Sequence, residues 1–290
     1  MLVTSYYDIY GKPEKIMEYI YLFYDLASSG VPIIVFTDPS LVKKFRIFPP
    51  SVKVIGVPLE TFELYSIAMK YKGELPSSRT AIKDTKEFLA IMNTKIEFIL
   101  KASEISKDDT FIWVDFGILK ISKNPERFIN KLKDINEKTF DKIMMPGCWS
   151  KGQAFSVDNV NWRFCGGVFV IPRKHIEVFY NHSKNVLSDF CNLPQYKLTW
   201  ETNVWNIIEM YAKDDIIKWY FADHDDSILL NISSVLYIGL FVELFLKSFF
   251  ARLFLYPFLS NFFLYSFLPD FFLKSLLVSK HSITYSILKS

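Results

Sequence analysis

Several short signatures that mark nucleotide- and ester-handling folds are missing from the 290-residue chain. No Gly-x-Gly-x-x-Gly follows the first apolar run, which argues against a dinucleotide dehydrogenase. There is no Gly-x-x-x-x-Gly-Lys-Ser/Thr and so no P-loop, and no Gly-x-Ser-x-Gly elbow. Val3-Thr4-Ser5-Tyr6-Tyr7-Asp8 offers no Gly-rich basic loop of the kind nucleotidyltransferases carry after a first strand. The three cysteines, Cys148, Cys165 and Cys191, are odd in number and lack Cys-x-x-Cys spacing. They read as reduced thiols of a cytosolic protein, with neither a zinc knuckle nor a disulfide framework. The N-terminal MLVTSYYDIY has no basic stretch followed by a long apolar one, so a signal peptide is not expected.

An excess of one charge sign is also missing. The chain carries 34 basic and 31 acidic residues, and its net +3 resides entirely in the last 64 residues. Residues 1–226 balance at 29 of each sign, which gives no electrostatic reason to expect a nucleic-acid partner. The segment 227–290 differs in kind, with 11 Phe and 15 Leu. Its charge-free runs, 227–242 and 253–269, are 16 and 17 residues long, at or under the ~18–20 that span a bilayer. Three readings compete: inserted or in-plane hairpin helices, a packed helical extension, and AT-biased translation. Membrane association is favoured. The division expected is therefore a body over 1–226 and a hydrophobic helical tail over 227–290.

In the body, apolar runs alternate with amphipathic ones. Strands are expected at 2–6, 31–36, 52–57, 111–114, 142–145, 168–171 and 219–222, and a helix at 14–26. Asp38 and Pro39 suit a helix start. No element is assigned to 62–83. Asp84-Thr85-Lys86-Glu87 opens one long helix, and further helices start at Pro125 and Thr199. This alternation predicts an α/β fold with a mostly parallel sheet flanked by helices. Lys95 falls on the apolar stripe of the long helix, four residues from both Ile91 and Ile99. It reads either as a lysine snorkelling out of the core edge or as a cation aimed into a phosphate pocket.

Phe111-Ile112-Trp113-Val114 runs without polar alternation into Asp115, as a strand buried on both faces does. The carboxyl end of such a strand is where ligands bind in open α/β sheets. Asp115 is therefore the candidate to hold a divalent metal and, through it, substrate phosphates. Asp38, Asp115 and the Asp223 to Asp226 cluster with His224 all stand at expected strand ends. Oxygen ligands with one imidazole suit Mn²⁺ or Mg²⁺ better than Zn²⁺. Gly166-Gly167, before an apolar strand, allows close backbone approach or positive φ.

Val-Thr-Ser-Tyr-Tyr-Asp-Ile near the start, Phe-Thr-Asp at Asp38, Asn93-Thr94-Lys95 and Trp113-Val114-Asp115-Phe116-Gly117 together resemble the HtrL/YibB (WlaTC-like) family. So do Cys165-Gly166-Gly167, Trp200-Glu201-Thr202-Asn203 and Asp223-His224-Asp225. The resemblance runs in order over residues 2–232 and implies a GT-A-like glycosyltransferase that uses a UDP- or GDP-linked sugar. It implies Mn²⁺ or Mg²⁺ on Asp115 and His224, with Gly117 where the pattern has a second Asp. Thr4 and Tyr6, after the first strand, would lie at the nucleotide base. Asp38 and Trp113 join the donor site, and Lys95 faces the diphosphate or sugar. Gly166 and Gly167 wall the pocket, while Glu201 and Asn203 sit beside the reacting carbon. Glu201 or Asp225 is the candidate base. The implied acceptor is a glycan, lipid-linked or protein hydroxyl at the cytoplasmic face of a membrane. The alternative is a membrane-associated protein that keeps the fold without the chemistry, for which Gly117 is the hint.

Overall fold

A computed structural model describes residues 1–212 and 215–232; the expected tail from 233 onward lies outside the described residues. Its frame is a sheet of seven strands in the order β3-β2-β1-β4-β6-β5-β7. The strands are β1 (Leu2–Tyr6), β2 (Ile33–Thr37), β3 (Val52–Gly56), β4 (Thr110–Val114), β5 (Ile143–Gly147), β6 (Val168–Pro172) and β7 (Ile217–Phe221). All neighbours run parallel except around β6, which is antiparallel to both β4 and β5. The expected mixed, mostly parallel sheet flanked by helices is thus present.

The strands are apolar at nearly every position because both faces of the sheet are covered. Successive side chains point to opposite faces, and the residues divide accordingly. Val3, Phe36, Trp113, Met145 and Phe169 enter one core. Leu2, Val35, Ile112, Val114, Met144 and Val168 enter the other. The first core is closed by α2 (Glu63–Lys70), α3 (Lys86–Asn93), α4 (Lys95–Ile105), α6 (Arg173–Asn192) and α7 (Glu201–Tyr211). The second is closed by α1 (Ile16–Ala27), α5 (Pro125–Asn136) and α8 (Ser227–Leu230). Ile228, Leu229 and Ile232 are buried there, so the body runs past residue 226. Among the described residues no helix is long and apolar enough to cross a membrane.

Three local expectations change. Residues 63–70, left unassigned, form α2. The single long helix is two, α3 and α4, separated at Thr94. There the Thr94 hydroxyl donates back to Ala90 O at 2.9 Å, a bond that competes with the helical ladder and bends it. Thr85, not Asp84, caps α3, accepting from Phe88 N at 3.2 Å.

One buried ion pair ties the loop before β6 to α7. The Arg163 guanidinium donates to both Glu209 oxygens, at 2.6 and 2.7 Å, and to Trp149 O at 3.0 Å. Arg163 also lies over the Trp219 ring. Removing one partner of such a pair leaves an uncompensated buried charge. Arg163→Met should lower unfolding stability by about 3–5 kcal/mol in urea titration. Arg163→Met with Glu209→Leu should recover most of that loss.

Candidate functional site

Strand order fixes where a site belongs. From β1 the chain moves outward to β2 and β3, then crosses back to β4 on the other side of β1. The sequence of connections therefore reverses between β1 and β4. Ligands in open α/β sheets bind outside the carboxyl ends of the strands at such a point. Tyr6, the last residue of β1, and Asp115, the residue after β4, stand at that edge. Because β6 is antiparallel, its start lies at the same edge, with Val168 opposite Val114. Gly166-Gly167 is thereby brought beside Asp115, whose N–H donates to Gly167 O at 2.8 Å.

The centre of this edge is Lys95. It opens α4, is 1% exposed, and satisfies all the donors of an ammonium group. Its Nζ lies 2.9 Å from Asp115 Oδ1, 2.8 Å from Glu201 Oε1 and 2.9 Å from Gly166 O. Burial alone would lower its pKa, but the carboxylates of Asp115 and Glu201 outweigh burial and hold it above the ordinary lysine value. Lys95 therefore neither snorkels to solvent nor faces a phosphate; its charge is spent on two carboxylates and a carbonyl. The Asn93-Thr94-Lys95 segment acts as a unit. Asn93 Nδ2 donates to Leu89 O and Thr199 O, each at 2.8 Å, Thr94 bends the helix, and Lys95 enters the cluster.

Asp115 is the member left partly open, with its side chain 36% exposed. Its Oδ1 accepts from Lys95 and, at 2.7 Å, from the indole N–H of Trp113. Oδ2 remains. Trp113 is buried and positions this carboxylate from below, so its indole does not face a donor. Glu201, also buried, is sealed against Lys95 and is no longer placed to take a proton from an acceptor. Both glycines lie outside the positive-φ region; close approach is what requires them. A Cβ on Gly166 would sit 2.0 Å from Glu201 Oε1, and one on Gly167 3.1 Å from Ile118 Cδ1.

Other expected residues lie elsewhere or do other work. Thr4 is inside β1, not after it, and is 1% exposed, so its side chain cannot meet a base. Tyr6 ends β1 half-buried among Tyr19, Phe45 and Phe116. Burial and the nearby Asp8 push its phenol up to about 12. Asp38 caps the 3-10 turn Pro39–Ile47 through Ser40 N at 2.8 Å, as its sequence context predicts. Asn203 is fully buried: its Oδ1 accepts from Asn161 N at 2.7 Å, and its Nδ2 donates to Ser156 O, Asn159 O and Thr199 Oγ1. It pins the 156–161 segment and has no polar atom left for a substrate. Asp225 remains accessible, with Oδ1 accepting from Ser227 N and Oγ. Those bonds hold its carboxyl below the usual range.

The structure also assembles a group that sequence spacing hid. Cys148 follows β5, Cys165 precedes β6 and His224 follows β7, and their ligand atoms lie within 4.8 Å of one another. This is the sole such trio among the described residues, and Asp115 is not in it. Burial pushes both thiols up. The donor sets present do not make a Mn²⁺ or Mg²⁺ site on their own. Asp115 offers one free oxygen, Gly117 offers none, and His224 sits with two soft sulfurs.

No described protein family matches the chain, and no curated protein does. Comparison with solved structures finds distant likenesses. One is a glycosyltransferase involved in the glycosylation of the major capsid of PBCV-1, 13% identical with a TM-score of 0.37, over 77% of this chain and 80% of that one. A second is CMP:2-keto-3-deoxy-manno-octonic acid synthetase complexed with CTP, 11% identical with a TM-score of 0.37, over 82% and 98%. A third is the glycosyltransferase GlyE of Streptococcus pneumoniae TIGR4, 11% identical with a TM-score of 0.33, over 76% of this chain and 44% of that one. At these scores none of them bears on a residue of this chain.

The close fit at Gly166 gives a direct test of the Lys95 cluster. Gly166→Ala should cost about 1–3 kcal/mol in chemical unfolding, the range for overpacking a filled core. Glu201→Asp, which shortens the obstructing side chain, should reduce that cost when the two are combined. An unaltered stability in Gly166→Ala would contradict the packing described.

Proposed function

We propose that the chain is a glycosyltransferase that moves a sugar from a UDP- or GDP-linked donor to a hydroxyl of a glycan, lipid-linked or protein acceptor. The observation that carries this reading is that Tyr6 and Asp115 stand at the same carboxyl edge, at the β1/β4 switch point. The resemblance to the HtrL/YibB family assigns the donor to these same segments, and the mixed sheet suits the GT-A-like fold which that resemblance implies.

In this reading the donor's base and ribose lie against the aromatic end of β1 at Tyr6. Its sugar hydroxyls donate to Asp115 Oδ2 beside Gly167, and its diphosphate stays clear of that carboxylate, whose charge would repel it. Asp115 is the group that touches the donor; Lys95, Glu201 and Trp113 are positioning residues that fix its carboxylate. Pre-set geometry of this kind lowers the barrier because the ligand meets a carboxylate already oriented. Transfer breaks the bond from the anomeric carbon to the diphosphate and forms one to the acceptor oxygen, whose proton leaves to a base. With Glu201 sealed, Asp225 is the carboxylate of the expected pair that stays open to that role. No step is assigned to Mn²⁺ or Mg²⁺.

Asp115→Asn retains an oxygen for Lys95 but removes the charge. It should lower sugar transfer by about a hundredfold or more, the scale of a displaced reacting group. Because buried Lys95 then keeps Glu201 as its one carboxylate, it should also lower the unfolding midpoint, so transfer is compared where both proteins are folded. Product detection by mass spectrometry checks this, and undiminished turnover would overturn the assignment. Position 117 gives a gain-of-function test. A Cβ on Gly117 would meet Tyr19 and Lys120 side chains only at 3.6 and 3.8 Å, ordinary contact distances. Gly117→Asp should therefore fold normally and raise Mn²⁺ affinity at least about tenfold by adding a second hard oxygen ligand, as read by Mn²⁺ electron paramagnetic resonance.

A further inference from the structure

At the same sheet edge, Cys148, Cys165 and His224 are drawn together by three loops that share no local sequence pattern. Cys148 Sγ lies 3.6 Å from Cys165 Sγ and 4.0 Å from His224 Nδ1. Asp223 Oδ1 lies 3.8 Å from Cys148 Sγ and 3.7 Å from His224 Nδ1. Zinc binds sulfur at about 2.3 Å and nitrogen or oxygen at about 2.0–2.2 Å, so the edges of its tetrahedron measure about 3.4–3.8 Å. These four spacings are such edges or slightly longer, and the ligand atoms of Cys148, Cys165 and His224 all lie within 4.8 Å of one another, a set that Asp223 flanks on the Cys148 and His224 side.

Backbone hydrogen bonds hold the segments that carry the thiols. Cys148 N donates to Trp162 O at 2.9 Å and Cys165 N to Pro146 O at 2.7 Å, which clasps the two cysteine segments together. Ala222 N donates to Gly147 O at 3.0 Å and brings the Asp223-His224 loop alongside. The Trp162 ring meets the His224 imidazole edge-on, with centroids 4.3 Å apart, and restricts its rotation. Two sulfurs with an imidazole select a borderline-soft ion over the hard cations that the carboxylates of this chain first suggest.

We propose that Cys148 Sγ, Cys165 Sγ and the His224 imidazole hold a tetrahedral Zn²⁺, with Asp223, beside Cys148 and His224, turning its carboxylate in as the fourth ligand. Binding converts two thiols to thiolates and releases their two protons to solvent, with no redox change. The ion joins the ends of β5 and β7 to the segment that leads into β6. Since Cys165 precedes Gly166, whose carbonyl accepts from Lys95, the metal stiffens the strand start that holds the Lys95 cluster. The proposal does not rest on the nucleotide-sugar reading, and its test uses no donor.

The full chain, reduced and stripped with a chelator, is titrated with Co²⁺ as a spectroscopic probe. One equivalent should give the visible bands of tetrahedral cobalt with thiolate-to-metal charge transfer, and Zn²⁺ should displace them. Cys148→Ser and Cys165→Ser should each lose charge-transfer intensity, whereas Cys191→Ser should leave the spectrum unchanged. His224→Ala alters a side chain that is 46% exposed and so should fold normally. It should weaken Co²⁺ binding at least about tenfold, a loss of the order seen when zinc sites are perturbed. Absence of a tetrahedral spectrum, or one indifferent to His224→Ala, would overturn the proposal whether or not the cysteine variants fold.

Discussion

Burying an ammonium group is the constraint on which this structure turns. Lys95 is enclosed, and an ion taken from water loses several kcal/mol of hydration that only close partners can offset. Its partners come from three distant parts of the chain: Asp115 after β4, Gly166 before β6 and Glu201 at the start of α7. Each supplies one acceptor to one donor. The cluster therefore specifies how two helices and two strand ends meet, because any other arrangement leaves a buried charge uncompensated.

That requirement explains neighbouring choices. Position 166 is glycine because Glu201 and Lys95 occupy the space of a Cβ. The helix breaks at Thr94 immediately before the lysine, with Asn93 pinned to Thr199 so that α3 and α7 stay in register. Trp113 fills the sheet face beneath the cluster, stacked between Phe98 and Phe169, and directs its indole N–H to Asp115. The outcome is a carboxylate with one oxygen fully engaged and the other presented at the switch point of the sheet. The carboxylate is thereby fixed in orientation, and hard ligands do not gather round it, since Gly117 supplies none and His224 sits with two sulfurs.

Much of the frame was legible in the sequence. The strands are short apolar runs with turn signals at their ends, and covering both sheet faces makes such runs unmistakable in Val-Pro-Ile-Ile-Val-Phe or Phe-Ile-Trp-Val. What one strand cannot show is direction, so the reversal of β6, which brings Gly166 to Asp115, appears only in three dimensions. Helix α2 escaped because it is eight residues long and its buried stripe is only Leu64, Tyr65 and Ala68, too short a run to show a period. The site was legible as residues but not as roles. Lys95, Glu201 and Asn203 are polar residues of the kind that mark pockets, yet their hydrogen bonds are spent within the core. The sulfur-imidazole group left no local signal: Cys148 and Cys165 are 17 residues apart and His224 is 76 from Cys148. Only the convergence of strand ends, which no spacing rule records, joins them.

Every role proposed for this sheet edge depends on where the nucleotide lies. A crystal structure of the chain soaked with UDP and GDP, each at saturating concentration, measures this directly. One of them should bind at the carboxyl edge of the sheet, with its base beside Tyr6, its phosphates outside the carboxyl ends of β1 and β4, and Lys95 still closed against Asp115 and Glu201. A nucleotide bound away from the β1/β4 edge, or Lys95 swung out of its cluster to meet the phosphates, would contradict those roles.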